Sequence, residues 1–147
     1  MRISAAAVVL LAVGALGACG TSSSPGASPS SAPLGSATAS TPNVTATKGL
    51  PPTVTPTDTT GASLVGWQSA GRLYVVTYGS STCPRVPVDV AVATGNRLTI
   101  TTKPTSDGPC TMDFGPSTSV IDAPQGLDDT MPVQVTIDGV GLTVPPR

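Results

Sequence analysis

Residues 86–102, "VPVDVAVATGNRLTITT", settle what kind of fold this chain can form. Valine recurs at 86, 88, 90 and 92, every second position, which is the period of a strand with one buried face. Apolar positions resume at Leu98 and Ile100 after the turn-forming run Thr94-Gly95-Asn96. Two turns compete. A two-residue Gly95-Asn96 turn sets Ala93 opposite Leu98 and leaves the valine row facing Thr99 and Thr101. A three-residue loop, Thr94 to Asn96, pairs Val92 with Leu98 and Val90 with Ile100. Burial favours the longer loop, with Asn96 in the left-handed conformation that this residue tolerates.

The neighbouring segments follow the same logic. In residues 133–144, "VQVTIDGVGLTV", an Asp138-Gly139 turn suits type I′ and pairs Ile137 with Val140, Val135 with Leu142 and Val133 with Val144. Residues 66–76 predict a further hairpin around Ala70-Gly71, with Trp67 opposite Tyr74 and Val65 opposite Val76. Thr118 to Ile121 offers one more strand. The sum is about seven short strands, an all-β domain of the small antiparallel β-sandwich type, immunoglobulin-like or similar. A small barrel is the competing closure.

Composition agrees. The chain has 147 residues, enough for one domain, with 16 Gly, 16 Pro, 3% aromatic and 10% charged residues. A helical bundle needs a different mixture. The formal net charge of −1 gives no basis for binding nucleic acid. There is no His, so the commonest general base and metal ligand is missing, and every acidic residue is Asp.

The N-terminus reads as an address. Met1-Arg2 is a short positive start, and Ile3 to Leu16 is almost wholly apolar but somewhat short for a membrane span. It ends in Leu16-Gly17-Ala18-Cys19, which resembles the lipobox of bacterial lipoproteins. The resemblance covers residues 1–20. It implies that residues 1–18 are removed as a signal peptide and that Cys19 carries a diacylglyceryl group and becomes the mature N-terminus. Paired acyl chains of the palmitate type give stable anchoring, at about 0.8 kcal/mol per buried methylene. The chain is then exported, with the outer face of the cytoplasmic membrane as its site.

Residues 19–61 are dominated by Ser, Thr, Pro, Ala and Gly. Such a segment buries too little surface to offset its ordering entropy and is expected to be a disordered tether. At about 40 residues it spans roughly 35 Å as a flexible coil. Asn43-Val44-Thr45 has the form of an N-glycosylation acceptor, a role the bacterial setting argues against. The β domain is expected over 62–147.

With Cys19 lipidated, Cys83 and Cys110 remain, an even pair in an exported chain, and a bridge between them is expected. "GSSTCP" (79–84) and "CTMDFGPSTSV" (110–120) are similar to segments of small actinobacterial lipoproteins of uncharacterised function. That resemblance implies no activity.

Residues that could carry chemistry are few. Ser80, Ser81 and Thr82 lack a His partner, and Lys103 is the lone Lys of the expected domain, so they read as a polar turn leading to the bridge. Asp113 and Asp122 are candidates for a carboxylate pair, although Asp113 better suits a turn cap. Asp122, Asp128 and Asp129 offer hard oxygen ligands without the spacing of a calcium loop. Arg72, Arg85 and Arg97 read as isolated surface charges. Trp67 and Tyr74 are the candidate ligand-binding aromatics. The expectation is a monomeric, non-catalytic binding module without cofactor or metal, contacting an envelope protein or wall component. The alternatives are a small-ligand or glycan-binding accessory domain and, third, a small hydrolase.

Overall fold

A computed structural model describes residues 38–55 and 61–147. Cys19 and the expected signal peptide lie outside those residues. Among the described residues there is no helix, and nine strands form two sheets. They are β1 (Thr38–Ser40), β2 (Thr45–Lys48), β3 (Leu64–Ser69), β4 (Arg72–Gly79), β5 (Arg85–Ala93), β6 (Arg97–Pro104), β7 (Gly115–Asp122), β8 (Val133–Ile137) and β9 (Val140–Val144). One sheet has the order β1-β5-β6-β8-β9 and the other β2-β7-β4-β3. The two pack face to face as a small β-sandwich around Val65, Leu73, Val75, Val90, Leu98, Ile100, Ile121, Val133, Val135, Ile137 and Val144.

Burial decides the β5–β6 register as expected: Val92 faces Leu98, Val90 faces Ile100, and Asn96 lies at φ 56°. The valine row is not continuous, however. A bulge at Val88 turns the strand so that Pro87 is buried while Val86 and Val88 are only partly covered. The β8–β9 hairpin has the expected register, with Asp138 at φ 46° and Gly139 at φ 86°. Its apolar row thins toward that turn, where Val140 is exposed.

The β3–β4 hairpin departs from expectation. Its tip is the Ala70-Gly71 turn, but a bulge at Gln68 slips the register by one, so Trp67 faces Leu73 and Gly66 faces Tyr74. The slip puts Trp67 on the core side and leaves the Tyr74 ring lying over Gly66, where an added Cβ would collide with it.

Two further findings correct the sequence expectations. Residues 38–55 belong to the β domain rather than to a disordered tether. β1 pairs with β5 and β2 with β7, adding an edge strand to each sheet, and the Thr118 hydroxyl donates to the Gly49 carbonyl at 2.7 Å. Residues 49–55 then follow, with Pro51 buried, and Val76 on the outer face of β4 is fully buried. The ordering entropy is offset because these short polar strands pair with a sheet that already exists. Second, β8 runs parallel to β6. A parallel neighbour requires a crossover, and β7 supplies it by passing through the opposite sheet.

The topology gives the sandwich two poles. Thr38 pairs with Val92, so the chain enters beside the 94–96 turn. The far ends of the strands, where Gly79 faces Gly115 and Arg85 faces Pro104, form the other pole.

Candidate binding surface

The two cysteine segments meet at the far pole. Cys83 and Cys110 are bridged, with Cα atoms 5.6 Å apart. Around the bridge, residues 80–82 and 111–113 interlock. Ser81 N donates to Asp113 Oδ1 at 3.1 Å, and the Thr111 hydroxyl donates to the same oxygen. Thr111 N donates to Thr82 Oγ1 at 3.0 Å, and the Ser80 and Thr111 hydroxyls are 2.8 Å apart. Hydrogen bonds from Ser81 and Thr111 hold the Asp113 carboxyl down at about 2. A carboxylate that acidic is a permanent acceptor, unsuited to taking a proton from a neighbouring hydroxyl near neutral pH. The cluster is a clasp.

What the clasp presents is apolar. Residues 103–114 are exposed throughout, and within them Met112 is fully exposed and Phe114 is 71% exposed. Phe114 stacks on Tyr78 with ring centroids 5.6 Å apart. Gly61 lies against that ring, and a Cβ there would stand 3.1 Å from it. Two large apolar side chains thus stand in solvent on a loop pinned by a disulfide and an ionised carboxylate.

The other expected site residues are dispersed. Trp67 and Tyr74 point to opposite faces of their hairpin, yet both border one small cavity of about 270 Å³ at the β3 edge. The Trp67 indole N–H donates to the Pro145 carbonyl at 3.1 Å, fastening the C-terminal residues across the seam between β3 and β9. Burial pushes the Tyr74 phenol up. Asp113 and Asp122 flank opposite ends of β7, more than about 20 Å apart along the strand, so they cannot share a substrate bond. Asp122 pairs with Arg72 at 3.4 Å, Asp129 pairs with Arg147 at 3.2 Å, and Asp128 accepts from Thr130 N at 2.9 Å. Lys103 and Arg97 are exposed strand positions.

Of the three arginines expected to be isolated, Arg72 pairs with Asp122 and Arg85 joins a wider network. Arg85 donates to the Thr102 hydroxyl at 2.9 Å and to Asp138 Oδ2 at 3.3 Å, while Thr102 N donates to Asp138 Oδ1 at 2.8 Å. Partial burial raises the Asp138 carboxyl, but the Thr102 hydrogen bonds and the Arg85 charge outweigh it and the net shift is downward. This triad staples the β8–β9 turn to β5 and β6.

Met112 and Phe114 are the residues that sequence reasoning passed over. Their signal was present: two large apolar residues flank Asp113 in a stretch with no alternating pattern to bury them. No protein-family model matches the chain, and neither a curated protein nor a solved structure matches it.

Proposed function

We propose that this chain is an exported lipoprotein, held by a lipid on Cys19 to the outer face of the cytoplasmic membrane. Its β domain acts as a non-catalytic module that binds another envelope component through the Met112–Phe114 tip. The observation that carries this reading is the exposure of Met112 and Phe114 on a clasped loop. The Phe114 ring, already held by its stack on Tyr78, loses little entropy on docking, and exposed apolar anchors of this kind supply much of the binding energy of a small interface. Their position supports it as well. The described chain enters at Thr38, beside one pole, and the tip is at the other, so a tether leading to a membrane holds the tip outward. The partner is a protein with an apolar cleft, because the tip carries no surplus of charge for a polyanion.

Two measurements test this. Intact mass of the membrane-extracted protein should give a mature chain that begins at diacylated Cys19; an unmodified start elsewhere overturns the anchor. A photo-crosslinker at position 112 in cells should give one discrete adduct, weakened about tenfold by Phe114→Ser. The control is a crosslinker at Thr99, on the outer face of the β1-β5-β6-β8-β9 sheet. Equal labelling from both positions, or none from 112, overturns the binding tip.

A further inference from the structure

We propose a second binding site, for a neutral sugar unit, in the cleft at the side of the sandwich where the chain crosses from β1 to β2. The cleft measures about 460 Å³, a size typical of small-molecule sites. One wall is the crossover, with Pro42 and Asn43; the other is the segment after β7, with Asp122, Pro124 and Gln125; Val90 lies on the β5 side. The apolar part of the walls is therefore two proline rings and the Ala123 methyl, and the polar groups are two amides, one carboxylate and the hydroxyls of Thr38, Ser40 and Thr41.

The polar groups fit a neutral polyol. The side-chain amides of Asn43 and Gln125 have no hydrogen-bond partner within the described protein. Each planar amide offers a donor and an acceptor side by side, the pattern that two adjacent hydroxyls match. The backbone beneath Gln125 is set by a turn in which Leu127 N donates to the Pro124 carbonyl at 3.4 Å and Gly126 takes φ 89°, as a type II turn requires. Asp122 is paired with Arg72 through one oxygen, which leaves the other for a hydroxyl donor. That pairing cancels the charge in the cleft, so neither an anion nor a cation gains by entering. The proline rings and the Ala123 methyl, all partly exposed, provide contact for the C–H face of a pyranose or furanose ring. No aromatic ring lines the cleft, so no ring stacking adds to these contacts.

The site does not depend on the Met112–Phe114 tip. The hydroxyl pattern belongs equally to a free monosaccharide and to the end unit of a glycan chain. The test is an NMR titration of the isotopically labelled full chain with D-mannose, D-galactose and D-arabinose, and with the matching trisaccharides. Saturable shifts of the Asn43 and Gln125 side-chain amide signals are expected. Combining Asn43→Ala with Gln125→Ala should weaken binding about tenfold, since two hydrogen bonds are lost, without moving Tm. Trisaccharides binding about tenfold tighter than monosaccharides assign a glycan end, and equal binding assigns the free sugar. No saturable shift with any of these probes, or unchanged affinity in the double variant, overturns the site.

Discussion

The sandwich has an irregular loop at each pole, and the two are fastened by different means. Residues 123–132, at the entry pole, contribute Ala123 and Leu127 to the margin of the core. The loop is then closed chiefly by Asn96, with Asp129 also tied to Arg147. Asn96 donates to the carbonyls of Asp128 at 2.9 Å and Pro132 at 3.1 Å, and its own carbonyl accepts from Asp128 N at 2.8 Å. Residues 105–114, at the other pole, bury none of their own side chains. Their fastening is covalent and charge-assisted: the Cys83–Cys110 bridge and the hydrogen bonds to the Asp113 carboxylate. A loop that reaches the core can rest on non-covalent ties. A loop that carries its apolar side chains outward gains nothing from burial, and here its covalent tie is the one that water does not compete with.

The largest break in that comparison comes from the bridge. Cys83→Ser with Cys110→Ser opens a loop of sequence separation 27. Loop-closure entropy predicts a loss of about 3.5 kcal/mol, or a Tm lower by about 15–25 °C. Thermal denaturation of the variant checks it; a loss below about 1 kcal/mol would mean that the clasp holds the pole unaided.

At the entry pole, Asn96→Ala removes the side-chain bonds and places a Cβ-bearing residue without local support at φ 56°. The expected cost is about 2–3 kcal/mol by urea denaturation. Asn96→Gly keeps the backbone conformation and should cost about 1 kcal/mol less. Equal losses for the two variants would assign the whole effect to the side-chain bonds.

Between the poles, the Ser119 hydroxyl is buried in the middle of β7 without a partner. Ser119→Ala should raise stability by about 1 kcal/mol, measurable as a shift in denaturation midpoint. A loss instead would point to a buried water or a binding role for the hydroxyl.

The smallest effect is confined to acid. Asp113 is held at about 2 in the fold against an ordinary value near 3.8. Its contribution is therefore complete above the unfolded value and is lost as pH falls through about 2. Tm of the native protein should drop more steeply than that of Asp113→Asn between pH 4 and pH 2. Parallel curves would show that the clasp adds nothing to the bridge.

Much of the fold was legible because period-2 patterns and turn residues act locally. The β5–β6 and β8–β9 registers and the left-handed Asn96 follow from one rule, that a strand with one buried face cannot slip by one residue. The same rule missed the bulges at Gln68 and Val88, since a bulge is selected by what the strand packs against. β1 and β2 were invisible for a related reason. "TAS" and "TATK" have no buried face of their own and become strands by completing a sheet edge. For the binding surface, the cysteine pair and the polar turn at 80–82 could be picked out, but not that Asp113 reaches across the bridge to Ser81.

The amino-acid sequence by itself determined an all-β chain, its principal hairpins, the cysteine pair available for bridging and the absence of histidine chemistry. The hairpins depend on spacings within about a dozen positions, and the cysteine pair and missing histidine on residue counts alone. Only the tertiary structure decided that β8 lies parallel to β6, that residues 38–55 join the sheets, that Trp67 serves the C-terminal seam, and that Met112 and Phe114 stand in solvent opposite the chain's entry. Each of these depends on which distant strand occupies the neighbouring place. Neighbours brought together across long loops are chosen by the burial of the whole sandwich, a quantity no local pattern encodes.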